Sequence, residues 1–406
     1  MVLPPERRTL PTVALFAARV VYAFNWYNVG AVLPLIGGGL HAGPAQLGIV
    51  LGAFLVGVGI FQVPAGFASL RWGARRVSMG GLLLLGLASL ASAFAPSWPA
   101  LAVLRFFAGV GAAFFFSPAL SLIASYFPSG RRGPVIGLYN GGFSMGGAAG
   151  LFLGAFLGSL WGWPVALAVG GLAMLIATAV CWAALPQDSA EPAAPSFQSI
   201  REAARDVLLS RSIWALALSL TGFWGAIYIV AQYFVAFGES VHTEWGNGVA
   251  AGLAAVVVLL SFPAGPLGGW IGERGRDRRW LLLAFGGLAG VMTILVPFLG
   301  LIPLTADLVG LGLVDGIVFA ILYLIPTYLP ETRGEGLALG VAVVNSIQVG
   351  IGSALAVLFG FLVALEGYTA AWVLAGAIAL LLLPLLGWVR PNRGAVASSP
   401  PSPRAH

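Results

Sequence analysis

The sequence predicts an all-α integral membrane protein, with twelve transmembrane helices in two pseudo-symmetric six-helix bundles and both termini cytoplasmic. Three observations lead there. Of 406 residues 59% are hydrophobic and 8% charged, with mean hydropathy +0.96, which is more apolar surface than a soluble core of that length hides. The apolar residues come in runs near the roughly 20 helical residues that cross a 30 Å hydrocarbon layer. Stretches such as Ser78 to Phe94 and Leu374 to Trp388 are apolar on every side; strand alternation is absent, which excludes a β-barrel. Finally, all twenty basic residues are arginine, and eighteen of them sit in the short polar gaps between runs.

Cutting the chain at Pro/Gly-rich or charged gaps places the spans at 11–35, 45–68, 77–96, 99–126, 134–160, 162–185, 211–238, 246–271, 280–301, 304–329, 335–364 and 368–389. Span one follows Arg7 and Arg8 and is too long, with too many runs behind it, for a cleaved signal peptide. Spans two and three flank the basic loop Arg71 to Arg76, and span four runs between Pro99 and Pro128. Arg131 and Arg132 precede span five, Gly162 separates it from span six, and Pro186 closes the sixth. Span seven opens at Arg211, while span eight carries Pro263 and Pro266 and stops at Glu273 and Arg274. Arg278 and Arg279 open span nine, Pro330 closes span ten, Arg333 precedes span eleven, and Gly367 divides it from span twelve, which Arg390 ends.

With the N-terminus inside, the eighteen gap arginines, from Arg7 to Arg404, fall on one side and none on the other. The positive-inside rule then makes both termini cytoplasmic and the chain a multi-pass protein of the cytoplasmic (plasma) membrane. Topology explains the net charge of +6 and pI near 9.9, so the basicity indicates no nucleic-acid partner. Membrane lipid is an expected partner of the basic loops. Cys181 stands alone in span six, and His41, His242 and His406 fall in outer loops or the tail, so neither a metal nor another cofactor is expected. Without lysine there is no nucleotide-binding G-x-x-x-x-G-K-[ST] loop.

Four regions follow. Residues 1–185 form an N-terminal six-helix bundle and 211–389 a C-terminal one. Between them, 186–210 reads as a cytoplasmic linker with a short amphipathic helix, since Ser199 and Glu202 have capping-box spacing ahead of Ala203, Val207 and Leu208; a disordered linker is the alternative. The Pro/Ser-rich segment 390–406 reads as a disordered tail. The halves echo one another. Tyr126-Phe127-Pro128 and Tyr328-Leu329-Pro330 lie 202 residues apart, as do Gly73 and Gly275, while Gly162-Trp163 and Gly367-Tyr368 lie 205 apart. Such a period implies two bundles related by an axis along the membrane normal, with substrate between them.

The loop after span two, Gly66-Phe67-Ala68-Ser69-Leu70-Arg71-Trp72-Gly73-Ala74-Arg75-Arg76, resembles the signature loop G-x-x-x-D-R-x-G-R-R/K of the major facilitator superfamily. Gly66, Arg71 and Gly73 match, the basic pair beginning at Arg75 comes one position late, and Leu70 replaces the acid. In the second half Glu273 and Arg274 keep an acid–arginine pair in a loop one residue short. The family's span-four pattern R-x-x-x-G-x-G is met by Arg105, Gly109 and Gly111. Membership implies a secondary transporter working by alternating access, with these loops taking part in the conformational change; it puts a latch through Leu70 in doubt. Arg19 and Arg105 also match arginines of the family's anion:cation symporter branch, but Ala18 and Ala112 stand where that branch has acids. Its usual proton coupling therefore does not carry over.

Of the twenty arginines only Arg19 and Arg105 lie inside the apolar runs, and an intramembrane arginine normally faces a cavity, a partner or a ligand. On a helical wheel Arg19, Tyr22, Asn25 and Trp26 share an arc of about 120°. That face suits a small carboxylate, held by a bidentate guanidinium against aromatic walls. Snorkelling to the inner interface is the rival reading of Arg19. For Arg105 the readings are a substrate ligand, a structural bond, or an outer gate with its counterpart Asp307 in span ten. Asp315, the deepest acid, is the candidate for carrying a co-transported proton. Tyr228 and Gln232 in span seven and Asn345 and Gln348 in span eleven add polar groups, as ligands or as interhelical bonds. The expected cargo is a small anionic, carboxylate-like molecule. Export of apolar or drug-like compounds is the alternative, favoured by the wall of Phe106, Phe107, Phe114, Phe115 and Phe116. A non-transporting sensor or assembly factor is the alternative of another class. No cluster of catalytic residue types is visible, so no enzyme is expected.

Overall fold

The computed structural model describes residues 4–186, 202, 205–274, 277–329, 332 and 336–390. They are helical almost throughout. Ten helices are long and apolar enough to cross a membrane, and a bent pair, Glu6–Ala31 with Leu33–Gly39, makes an eleventh. The last of the ten, Leu339–Trp388, holds two spans, because Gly367 breaks it at φ 82°, ψ 178°. Twelve spans result.

Hydropathy marks the apolar slab rather than the helix ends, so several spans reach beyond their sequence limits. Span one begins at Pro5 and span five at Ser129, so that Arg7, Arg8 and the Arg131–Arg132 pair fall in helical first turns. Span one is bent by 57° at Val32, where Pro34 opens a new helical segment; proline disfavours helical geometry just before it and offers no N–H to continue the ladder. Span seven likewise changes helix at Leu220, as Arg211–Ser219 gives way to Thr221–Val241.

The half-chain echo has a backbone counterpart. Gly162 adopts φ 82°, ψ 166° between spans five and six, and Gly367 φ 82°, ψ 178° between spans eleven and twelve. This region is essentially closed to residues with a Cβ. Nothing lies within 4 Å of a Cβ built on Gly367, so Gly367→Ala tests backbone strain alone. It is expected to lower stability by about 1–3 kcal/mol, read as a lower melting temperature in detergent; an unchanged melting point would mean the break is not enforced.

Glycine also sets the packing. Within the N-terminal bundle a Cβ on Gly146 would overlap the Val20 carbonyl, and one on Gly150 would come 2.7 Å from the Phe24 oxygen, so spans one and five touch backbone to backbone. Between bundles, a Cβ on Gly59 of span two would lie 2.6 Å from Cα of Gly350 in span eleven. Nearer the outer side a Cβ on Gly48 would lie 2.9 Å from the Tyr233 hydroxyl and 3.2 Å from the carbonyls of Ala356 and Val357, and Gly30 of span one abuts Gln232 of span seven. The outer halves of the bundles are thus closed on one another.

At the inner face the arginines lie over rings. Arg75 donates to the Trp182 carbonyl at 2.8 Å and sits over the Trp182 ring, Arg274 over Trp270, and Arg278 over Tyr328. Of the linker, residues 205–209 are helical with Val207 buried, and the Ser210 hydroxyl caps the next helix by accepting from the Ile213 N–H. Ser199 and the tail from 391 onward lie outside the described residues.

Candidate functional site

Arg19 is 5% exposed and enclosed by rings. Its guanidinium carbon lies 4.7 Å from the Tyr22 ring centre, 4.5 Å from Phe116, 5.3 Å from Tyr139 and 4.6 Å from Phe143. Three spans supply these rings: Tyr22 comes one turn along span one, Phe116 from span four, and Tyr139 and Phe143, spaced i, i+4, from span five. Ring faces stabilise a desolvated cation by about 2 kcal/mol or more but accept few of its hydrogens. Accordingly, Nε and Nη1 of Arg19 have no hydrogen-bond partner, and neither does the Tyr139 hydroxyl. Two buried guanidinium nitrogens, on different edges of the group and without a carboxylate opposite, leave donors that an anion could satisfy.

Above this cage, toward the outer side, Trp26 packs edge-on against Phe54 and Phe143, at 4.8 and 5.5 Å between centres. Its carbonyl accepts from Gln232 Nε2 at 2.7 Å, a bond that crosses from one bundle to the other. At the same height Arg105 donates through Nη2 to the Asn25 carbonyl at 3.2 Å and lies 4.4 Å from the Phe54 ring centre. The structure does not pair Arg105 with Asp307, whose Oδ2 is buried without a partner.

The wheel grouped Asn25 with Arg19, but the structure separates them. Asn25 Nδ2 donates to the Gly170 carbonyl of span six at 2.9 Å, because a glycine there leaves the backbone open; a Cβ on Gly170 would sit 2.8 Å from Asn25 Oδ1. Arg19 and Tyr22 lie among rings of spans one, four and five, the Trp26 carbonyl reaches the other bundle, and the Asn25 side chain turns to span six.

Across the interface Tyr228 stacks on Trp224, 5.4 Å between centres and 8° between planes, with its hydroxyl unpartnered. Gln348 is fully buried, and neither amide atom has a partner. Asn345 is bonded on both sides. It accepts from the Tyr323 hydroxyl and donates to Gln62 Oε1 of span two, each at 2.8 Å. Asp315 lies in span ten next to Gly316, where an added Cβ would overlap the Ser261 carbonyl of span eight. Of the conformational loops, Gly73 turns the chain at φ 89° between spans two and three, Gly66 has open space around it, and Arg71, Glu273 and Arg274 are exposed. Their partners Gly275 and Arg276 are outside the described residues.

Sequence reasoning left Tyr27, Phe143, Ser144 and Ser261 out of the site. The i, i+4 repeat of Tyr139 and Phe143 was the available signal for the cage wall; serines in membrane helices carry none. A small hollow lined by Ala226, Ile229, Leu355, Phe359 and Ala371 lies inside the C-terminal bundle, away from both arginines, and is apolar.

Comparison with known proteins gives the family and the fold. Residues 15–348 match the family model described as Major Facilitator Superfamily. A gallate transporter of Pseudomonas putida is 28% identical over 336 residues, 72% of this chain and 73% of that protein. The puromycin resistance protein of Streptomyces alboniger is 29% identical over 355 residues, 83% of this chain and 66% of its own length. Among solved structures, a bacterial homologue of the human lysosomal transporter Spinster, inward-facing and occupied, superposes with a TM-score of 0.75 at 17% identity, covering 95% of this chain and 97% of that one.

Proposed function

The chain belongs to the Major Facilitator Superfamily, as a multi-pass secondary transporter and not an enzyme, and from that premise we propose that its cargo is a small aromatic carboxylate. The observation that carries this reading is Arg19, a buried guanidinium with two unpartnered nitrogens inside four rings. Its fork fits a carboxylate bidentately, and the rings fit a planar apolar body. Tyr228 and Gln348 offer unpartnered polar atoms for a second polar group on the cargo. Gallate, named for a relative, has that chemistry. Trp26 and Gln232 form the roof, and Asn25 and Arg105 brace it. In this reading Asp315 takes a proton that travels with the anion.

The test is a thermal-shift panel of gallate, benzoate, a sugar acid, nitrate and a lipophilic cation on the purified protein. A ligand at about 100 times its Kd stabilises the folded state by about 2.7 kcal/mol. Aromatic carboxylates are expected to raise the melting temperature, and Arg19→Ala to remove the rise. Stabilisation by the cation alone would favour the other relative's puromycin resistance as the guide and end the anion reading.

A further inference from the structure

A buried side-chain amide has a donor end and an acceptor end, and burial is costly for either end left unbonded. Among the described residues Asn25, Asn28, Gln62 and Gln232 are buried, and each gives at least one end to the protein. Gln348 of span eleven is fully buried and gives neither: Oε1 and Nε2 both lack a protein partner. Such an amide weakens the fold that carries it, which points to a partner from outside the chain.

The surroundings narrow what that partner is. On span eleven Ile351 and Leu358 are exposed, whereas Asn345, Gln348 and Gly352, at spacings of three and four, turn inward. Asn345 reaches Gln62 of the other bundle. A Cβ on Gly352 would lie 2.6 Å from the Trp224 ring, which stacks on Tyr228. Gln348 therefore lies between the bundle contact and the edge of an aromatic wall. It stands 12 residues into its helix from Gly336, and Arg19 stands 14 into its own from Pro5. Counted from the inner ends that is roughly 18 and 21 Å, a matching height in opposite bundles.

We propose that Gln348 determines specificity at the end of the cargo remote from its carboxylate, and that it selects two hydroxyls on adjacent ring carbons. The inference rests on the aromatic-carboxylate reading, with Arg19 at the charged end. One hydroxyl donates its hydrogen to Oε1, and the oxygen of its neighbour accepts from Nε2. Glutamine engages the neighbouring donor and acceptor on the edge of adenine in the same two-point way. A lone hydroxyl serves one end of the amide at a time, and hydroxyls in meta relation stand too far apart for one amide to span. A second carboxylate would satisfy Nε2 but set its charge against Oε1. Held by no protein bond, the Gln348 amide can turn either end to either hydroxyl.

The test is a set of melting-temperature titrations on the purified full chain, which give a Kd for each ligand. The ligands are benzoate, 4-hydroxybenzoate, 3,4-dihydroxybenzoate and 3,5-dihydroxybenzoate. The last two carry the same charge and the same polar atoms, so only their arrangement is compared. The 3,4-isomer is expected to bind about 10- to 100-fold more tightly than the 3,5-isomer, the discrimination of one good bidentate contact. In Gln348→Met that ratio should fall to about threefold or less, with benzoate still bound and the protein without ligand melting higher than the native one. Equal affinity for the two isomers in the native protein overturns the proposal whatever the variant does, and so does a native-sized ratio in Gln348→Met. An amide satisfied by water alone would give the first of these results. Benzoate binding with equal isomers leaves the carboxylate reading standing and removes only the role of Gln348, whereas binding by none of the four ends both.

Discussion

Arg19→Met should melt at a higher temperature than the native protein and transport nothing. Replacing buried charged groups with apolar residues of similar volume is neutral or stabilising by about 1–4 kcal/mol, and here no ion pair offsets the burial, since Nε and Nη1 of Arg19 are unpartnered. Methionine keeps the unbranched stem against Phe116 and Phe143 and removes the charge. Anion binding should fall by at least about 30-fold, the equivalent of a lost buried charge contact of about 2 kcal/mol. Arg19→Lys separates charge from geometry. A compact, strongly hydrated ammonium resists the ring cage and offers no planar fork, so the lysine variant should fold yet remain impaired in counterflow. Arg105→Met is the contrast: it breaks the bond to the Asn25 carbonyl and should lower the melting point. A fall in melting temperature for Arg19→Met would make Arg19 a structural residue.

Gly59→Val should leave the protein folded but trapped with the outer halves of its bundles apart. The added Cβ would meet Cα of Gly350 at 2.6 Å and its nitrogen at 2.8 Å, backbone atoms that cannot rotate away. Overpacking of this kind costs about 1–3 kcal/mol, and about 1.4 kcal/mol already changes a two-state ratio tenfold. The strain exists only where spans two and eleven touch, so it is relieved by the conformation in which they separate. Transport should fall sharply at nearly unchanged melting temperature, and a cysteine on the outer half of span eleven should react faster with an impermeant thiol reagent added outside. Gly146→Val is the control, because Gly146 meets Val20 within one bundle; strain there should appear as lost expression and a lower melting point.

The spans were legible because apolar length acts one residue at a time. Helix ends were less so: the first turns of spans one and five carry Arg7, Arg8, Arg131 and Arg132, which hydropathy assigns to loops although lipid headgroups accept them in helical form. The site was legible at Arg19, since an arginine in hydrocarbon needs a reason, but its cage comes from Phe116, Tyr139 and Phe143 on other spans, which no periodicity within span one reveals. Asn25 misled the wheel for the same cause. Its side chain answers to Gly170, and a missing side chain on a distant helix leaves no local trace. Ser144 and Ser261, whose hydroxyls meet at 3.0 Å across the bundles, acquire meaning only from being opposite each other.

The arginine-over-aromatic contacts at the inner face also fix how the molecule sits in an energised membrane. Arg75 on Trp182, Arg274 on Trp270 and Arg278 on Tyr328 hold guanidinium charge at helix ends, on the side that the positive-inside reading makes cytoplasmic and the membrane potential makes negative. Carrying one such charge to the other side works against about 2.3 kcal/mol for every 100 mV. By the positive-inside reading of the sequence eighteen arginines share one face, and that asymmetry would make the inserted orientation electrically irreversible, so the bundles can rock through every cycle without the molecule ever turning over.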